Sequence, residues 1–287
     1  MTGSGQGLRD AGTSRARGGA VERHAAAGAA ATGNAPPRGV PGGGAGLRLA
    51  SIVVFLLSWQ LAAAVLQSAT LPTPGAVFQR LLAEVASFAL PRHLGITLSR
   101  VGVSFLLAMA IGTVIGIAMG QWRRLDMFLD TWLVLGLNIP ALVTIILCYV
   151  WFGLNDWAAI VAVAINKIPT VVVTVREGAR AVDPHLMQVA AAYRLPRWRT
   201  LGRVYLPQLH PYLMAAARAG LSLIWKIVLV VELLGRSNGI GFQLNVFFQF
   251  FDIAGILAYT LVFAAVVLLI EALLLRPLER RLTAWRG

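Results

Sequence analysis

Val101-Gly-Val-Ser-Phe-Leu-Leu-Ala-Met-Ala-Ile-Gly-Thr-Val-Ile-Gly-Ile-Ala-Met-Gly120 is a run of 20 residues without a charged side chain. About 20 mostly apolar residues is the length at which an α-helix crosses a bilayer. The pattern repeats on either side of it. Leu49 to Gln67 precedes the run, and Met127 to Trp151, Trp157 to Val175, Pro211 to Leu234 and Ile253 to Leu275 follow it, so the sequence predicts six spans. The third contains Pro140, the fourth Lys167 and Pro169, the fifth Arg218, Lys226 and Glu232, and the sixth Glu271. A charge at mid-membrane costs about 2.5–3.5 kcal/mol on insertion scales, and the fourth and fifth spans carry that cost.

Composition agrees with an all-α membrane protein. Hydrophobic residues make up 57% of the 287-residue chain and charged residues only 13%, against about 25% in ordinary globular proteins. The balance of 25 Lys and Arg against 12 Asp and Glu gives a net charge of +13. Such an excess can signal nucleic acid, but these basic residues sit between long apolar blocks, which argues against it. Cys148 is the single cysteine and lies in an apolar run, which excludes a disulfide scaffold. Residues 1–46 are different: rich in Gly and Arg and without apolar periodicity, they cannot bury enough surface to offset ordering entropy. The sequence thus predicts a disordered cytoplasmic tail over 1–46, able to touch anionic lipid, and a transmembrane domain over 47–287.

Loop charges set the orientation. With both termini inside, the inside segments hold 18 Lys and Arg and the outside segments hold 4, namely Arg80, Arg92, Arg100 and Arg236. Basic residues are retained on the cytoplasmic side. Both termini are therefore expected on the cytoplasmic side of the membrane; the resemblance described below implies that it is a bacterial plasma membrane.

The largest inside loop is the informative one. Asp183 suits an N-cap and Pro184 the first helical position. Leu186, Val189, Ala190 and Tyr193 recur at i, i+3, i+4 and i+7, one apolar stripe of a short helix. Pro196 opens a second helix with Trp198, Leu201 and Tyr205 at i, i+3 and i+7. A helix pair of this kind either lies in the lipid interface or offers its stripe to a soluble partner. Residue chemistry alone leaves the two level.

A resemblance separates them. From Leu47 to Arg286 the chain resembles the integral membrane subunit of ABC importers, in the branch of the aliphatic sulfonate, taurine and nitrate permeases. The resemblance rests on Leu71-Pro-Thr-Pro74, Thr97-Leu-Ser-Arg100, Trp151-Phe-Gly153, Val182-Asp-Pro184, Glu232-Leu-Leu-Gly235 with Gly239-Ile-Gly241, and the ending Leu278-Glu-Arg-Arg281 through Trp285. The family's cytoplasmic loop starts Glu-Ala-Ala, has Gly six residues after the Glu, and ends Leu-Pro. Here the end is Leu206-Pro207, the Ala positions are Val189 and Ala190, Gln188 stands at the Glu position and Arg194 at the Gly position.

The resemblance implies a type I ABC importer-like fold whose cytoplasmic loop couples to an ATPase. It implies two ATPase subunits beneath the membrane, carrying the ATP and Mg, and a second permease copy in a homodimer. A periplasmic or lipid-anchored binding protein would deliver a small anionic solute such as a sulfonate or nitrate. The chain itself has no Gly-x-x-x-x-Gly-Lys-Ser/Thr phosphate loop, so no catalytic residue and no cofactor are assigned to it, and no metal-ligand set stands out.

Four further features carry readings of their own. Ala108, Gly112, Gly116 and Gly120 recur every four residues, a ridge for close helix packing. Lys167, Lys226 and Glu232 are intramembrane charges and candidates for the translocation pathway. Glu232 could instead be structural, paired with Arg236 four residues on or neutralised by Lys167 from a neighbouring span. Phe242 to Phe251 is read as an amphipathic or re-entrant cap outside, and Pro140 and Pro169 as bends. The alternative class is a secondary transporter, which would carry an internal repeat; none is visible between the halves.

Overall fold

The computed structural model describes residues 44–68, 70–275 and 277, and among them there is helix but no strand. The chain divides into two units, Met1–Leu57 and Ser58–Gly287. Helix α1, Gly44–Leu66, begins inside the stretch assigned to the tail. The rest of that tail, residues 1–43, and the ending from Leu278 lie outside the described residues.

Ten further helices follow. Helix α2, Pro74–Ala86, starts where Thr73 caps it by accepting from the Ala76 amide at 3.2 Å, with Pro74 in the first turn. The Leu71-Pro-Thr-Pro74 motif is thus a helix start. Helix α3, Ala89–Gln121, extends the chargeless run by about three turns at its N-terminal end. Helices α4, Arg123–Asn138, and α5, Ala141–Phe152, meet at a bend of 99° across Ile139 and Pro140. The bend expected at Pro140 is present, and it is large enough to divide the third expected span into two helices. Pro140 cannot donate to the ladder, and the residue before a proline is pushed to extended backbone; Ile139 has φ −70° and ψ 123°.

Helix α6, Asp156–Arg180, runs through Pro169, and α7, Pro184–Ala192, is the loop helix. Helix α8, Arg197–Thr200, passes through a π-type turn at Leu201–Tyr205 into α9, Leu206–Gly235. The second half of the expected loop pair is thus continuous with the fifth span, over Arg197–Gly235. Pro207 explains the π-type turn, because its ring clashes with the carbonyl four residues back and it has no N–H to give. Helix α10, Ile240–Gln249, occupies the Phe-rich stretch, and α11, Ile253–Ile270, ends in a second π-type turn at Glu271–Leu275. Five helices are long and apolar enough to cross a membrane, or six if the bent α4–α5 pair is one span.

Helix α6 is the hub of the second unit. It packs most extensively on α3 and next on α9. Ala158, Ala159 and Ala162 are 0–1% exposed at its start. On α3 the ridge of small residues faces it: a Cβ on Gly112 would stand 2.7 Å from Val171 Cβ, and one on Gly116 would stand 2.8 Å from Val175 Cβ and 2.9 Å from the Val172 carbonyl. Gly120 lies against Ala179 in the same way. Lipid supplies no hydrophobic force between helices, so contact at this range is what holds them.

Gly116→Val should therefore lower stability by about 1–3 kcal/mol through overpacking. Gly102→Ala on the same helix, where an added Cβ meets nothing within 4 Å, should be neutral or slightly stabilising. Thermal unfolding of both variants in detergent checks the contrast; equal shifts would mean that the ridge is not the contact surface.

Candidate functional site

Two regions carry chemistry, one at each end of α6 and α9. At the first, Glu232 near the C-terminal end of α9 has no exposure, and Arg100 of α3 is 3% exposed. Arg100 Nη1 donates to Glu232 Oε1 at 2.6 Å and to the Asn238 carbonyl at 3.0 Å. Its Nε and Nη2 both donate to Asp156 Oδ1, at 2.9 and 2.5 Å, and Nη2 also reaches Asn238 Oδ1. Arg236 Nη2 shares Asp156 at 3.1 Å. Thr97 Oγ1 lies 3.0 and 2.9 Å from the two Glu232 oxygens and accepts the Ile240 amide at 2.8 Å. The Gly241 amide donates to Glu232 Oε2 at 2.9 Å and the Gly239 amide to His93 Nδ1 at 3.0 Å.

The result is a closed polar latch joining α3, α6, α9 and α10. Gly239 has φ 105°, which favours glycine, and a Cβ there would fall on the Glu232 carboxylate. Three separated sequence motifs meet here: Thr97–Arg100, Glu232–Gly235 and Gly239–Gly241. Arg100, expected in an outside loop, is instead inside α3 and is the partner of Glu232. Lys167 does not neutralise Glu232, and Arg236 turns to Asp156 rather than to the residue four before it. The signal for Arg100 was present in the Thr-Leu-Ser-Arg motif; what hid it was its place at the edge of the apolar run.

Lys167, Lys226 and Glu232 are not gathered into one site. Lys167 is 2% exposed on α6, with its Cε beside Gly220 of α9. Lys226 is on the exposed side of α9, whereas Glu232 is on the buried side. Among the described residues no three His, Cys, Asp or Glu side chains form a metal-binding group.

The second region is the loop. Asp183 caps α7 by accepting from the His185 amide at 2.8 Å, and its own amide donates to Gln208 Oε1 at 2.8 Å, tying the loop to α9. At the other end the Leu195 amide donates to the Ala190 carbonyl at 3.0 Å and the Arg194 amide to the Ala191 carbonyl at 2.9 Å. This pairing closes a helix through a left-handed residue, usually Gly. Arg194 takes that place with φ 48°, a strain of about 1 kcal/mol or somewhat more. The position where the resembled loop has Gly is thus a true left-handed site.

The apolar stripe on α7 splits in two. Ala190 is 3% exposed and Met187 packs on the bundle. Leu186, Val189 and Tyr193 are 47%, 51% and 78% exposed, and Trp198 and Leu201 extend this surface. Tyr205, expected on the same stripe, is buried in the π-type turn. Gln188 is exposed beside the stripe, and Leu206 and Pro207 continue the chain into α9. Beneath the loop, Arg176 bonds Asp130 at 2.6 Å and Asp126 at 3.3 Å, and Arg180 bonds Asp126, which fastens α4 to α6.

Residues 110–283 match the model of the binding-protein-dependent transport system inner membrane component family. The chain belongs to that family. It is 30% identical over 244 residues to the aliphatic sulfonates transport permease protein SsuC of Bacillus subtilis, covering 84% of this chain and 87% of that protein. It is 28% identical over 248 residues to the taurine transport system permease protein TauC of Escherichia coli, covering 84% and 90%. It is 27% identical over 238 residues to the bicarbonate transport system permease protein CmpB of Synechococcus elongatus, covering 78% and 85%. Among solved structures, a chain of the MetNI methionine ABC transporter superposes with a TM-score of 0.57 at 19% identity, over 69% of this chain and 96% of that one. The fold is that of a type I ABC importer permease, and the chain is a transport subunit.

The latch yields a prediction in detergent solution. Glu232→Leu should cost about 3–5 kcal/mol by leaving Arg100 buried and half-paired. Adding Arg100→Leu should recover part of that loss, with a coupling energy on the order of 1–3 kcal/mol. Strictly additive losses in equilibrium unfolding would show that the two do not act as a pair.

Proposed function

We propose that this chain is the membrane-spanning permease subunit of an ATP-driven importer, forming with a second copy the pathway for a small anionic solute such as a sulfonate. Family membership supports the permease role, and the likeness to sulfonate, taurine and bicarbonate permeases supports the anion. The observation that carries the coupling role is the exposed face of Leu186, Val189, Tyr193, Trp198 and Leu201. A rigid, capped helix with an uncovered apolar side outside the spans is what a helix-in-groove contact uses. ATP and Mg belong to the ATPase partner, and a periplasmic or lipid-anchored binding protein hands over the solute. Closure of the ATPase pair pushes on α7, and the spans rock between two discrete states biased by nucleotide.

The orientation places both termini in the cytoplasm, with the bent α4–α5 pair counted as one span. Arg100 leaves the outside count because it is buried in α3, and the positive-inside asymmetry grows accordingly. The latch then lies at the outer end of the bundle and the loop at the inner end.

Two outcomes are expected. Leu186→Asp or Tyr193→Asp should release the ATPase during copurification while the permease remains inserted; full ATPase occupancy in both variants would place the docking surface elsewhere. In intact cells a cysteine at Ser237 should react with an impermeant thiol reagent and one at Arg199 should not. Labelling of Arg199→Cys from outside would invert the topology.

A further inference from the structure

Between Asp183 and Glu232 the chain carries no Asp or Glu, and the loop that opens this stretch holds Arg194, Arg197, Arg199 and Arg203. All of these arginines are exposed in the subunit. Among the described residues none of them is in a salt bridge, and Arg199 instead lies over the Trp198 ring at 4.9 Å. The carboxylates nearest in sequence are engaged: Asp183 caps α7, and Glu177 pairs with Arg180 at 3.2 Å. The loop thus presents unanswered cations next to the apolar face of Leu186, Val189 and Tyr193.

Arg194 shows that this charge is kept against a local preference. A left-handed backbone with φ 48° suits Gly and disfavours a long side chain. Strain of this kind gathers at sites where the residue is used. Arg194 stands one residue beyond Tyr193, the most exposed member of the stripe at 78%. An apolar centre with arginines around it is the make-up of a protein–protein interface. Lipid headgroups are the other anionic surface at hand, and length argues against them. The rod Arg197–Gly235 has 39 residues, about 58 Å at 1.5 Å per residue, whereas a bilayer with its headgroups is about 40–45 Å thick. With the Gly235 end at the outer surface, Arg197 and Arg199 stand clear of the headgroup layer.

We propose that the groove receiving α7 on the ATPase is rimmed by carboxylates, and that Arg194, Arg197, Arg199 and Arg203 pair with them around the apolar contact. The proposal rests on the permease reading and adds to it the chemistry of the partner. The apolar stripe supplies the buried centre. The arginines set which ATPase is accepted, because a neutral or basic rim would leave them unpaired on docking. Gln188 and Arg194 stand where the resembled loop has Glu and Gly. Each change makes the loop more basic, so an ATPase fitted to the usual loop meets the wrong charge here.

The test uses the full chain in nanodiscs and the ATPase subunit recovered with it. Affinity for the native loop should fall about tenfold or more between about 50 and 300 mM salt, since exposed ion pairs are screened. Arg199→Gln with Arg203→Gln should weaken binding by about tenfold at low salt and flatten the salt dependence. Arg194→Gly should weaken binding while raising the melting temperature of the isolated permease, a pair of shifts that a merely structural Arg194 would not give. Salt-independent affinity that these variants leave unchanged, while Leu186→Asp still releases the ATPase, would overturn the proposal and leave the permease reading intact. Full ATPase occupancy in Leu186→Asp, or no ATPase recovered with the native chain, would remove that reading and the proposal with it. Nanodiscs of phosphatidylcholine with and without phosphatidylglycerol test the lipid alternative. A melting temperature raised by phosphatidylglycerol in the native chain but not in Arg199→Gln with Arg203→Gln, at equal ATPase affinity, would assign the arginines to headgroups and overturn the proposal as well.

Discussion

Glu232 is a carboxylate with no solvent contact in a bundle built from apolar helices, and Arg100 makes its burial tolerable. An unpaired charge in such a place costs several kcal/mol even after relaxation. The pair alone would not suffice, because each oxygen of the carboxylate needs donors. Thr97 and the Gly241 amide supply them, and Asp156 and Asn238 take up the remaining guanidinium hydrogens. Four helices must therefore arrive in register for any one of these groups to be satisfied. A network of this kind contributes less to net stability than to uniqueness, since a half-formed version is worse than none. It fixes one end of the bundle while the helix ends on the other side remain joined by the loop.

The α3–α6 contact complements the latch. Val171, Val175 and Ala179 of α6 fill the ridge left by Gly112, Gly116 and Gly120, so the two helices approach along their length and not only at the latch. A second tie, from Tyr259 to Glu84 at 2.8 Å and from Arg80 to Asp252 at 3.1 Å, secures α2 to α11. Polar bonds at span ends and small-residue packing between them are the two forces available where the hydrophobic effect is absent.

Much of this was legible in the sequence and some was not, for physical reasons. The spans announce themselves because length and apolarity are local properties. The small-residue ridge was legible for the same reason, through its period of four. The partners of Glu232 were not, because a partner is chosen by tertiary contact: Arg236 was near in sequence and Lys167 near in depth, yet Arg100 lies 132 residues away. The break at Pro140 was readable as a bend, but its size of 99° depends on what α5 packs against. On the loop, period alone could not divide Ala190 from Leu186 and Val189, since all three fit one stripe and only docking on the bundle separates the inner residue from the outer ones.

The π-type turn at Leu201–Tyr205 sets the angular phase of the helix that enters the fifth span. An α-helix advances about 100° per residue, so one residue of extra winding turns everything upstream by nearly a third of a revolution. Trp198 and Leu201 therefore point where the turn sends them rather than where the periodicity of α9 would. Arg197–Gly235 is 39 residues long, about 58 Å of rod at 1.5 Å per residue. A twist or push delivered at its Arg197 end would be carried to the Gly235 end without an intervening flexible loop, and Pro207 acts as the indexing pin that keeps the two halves out of phase.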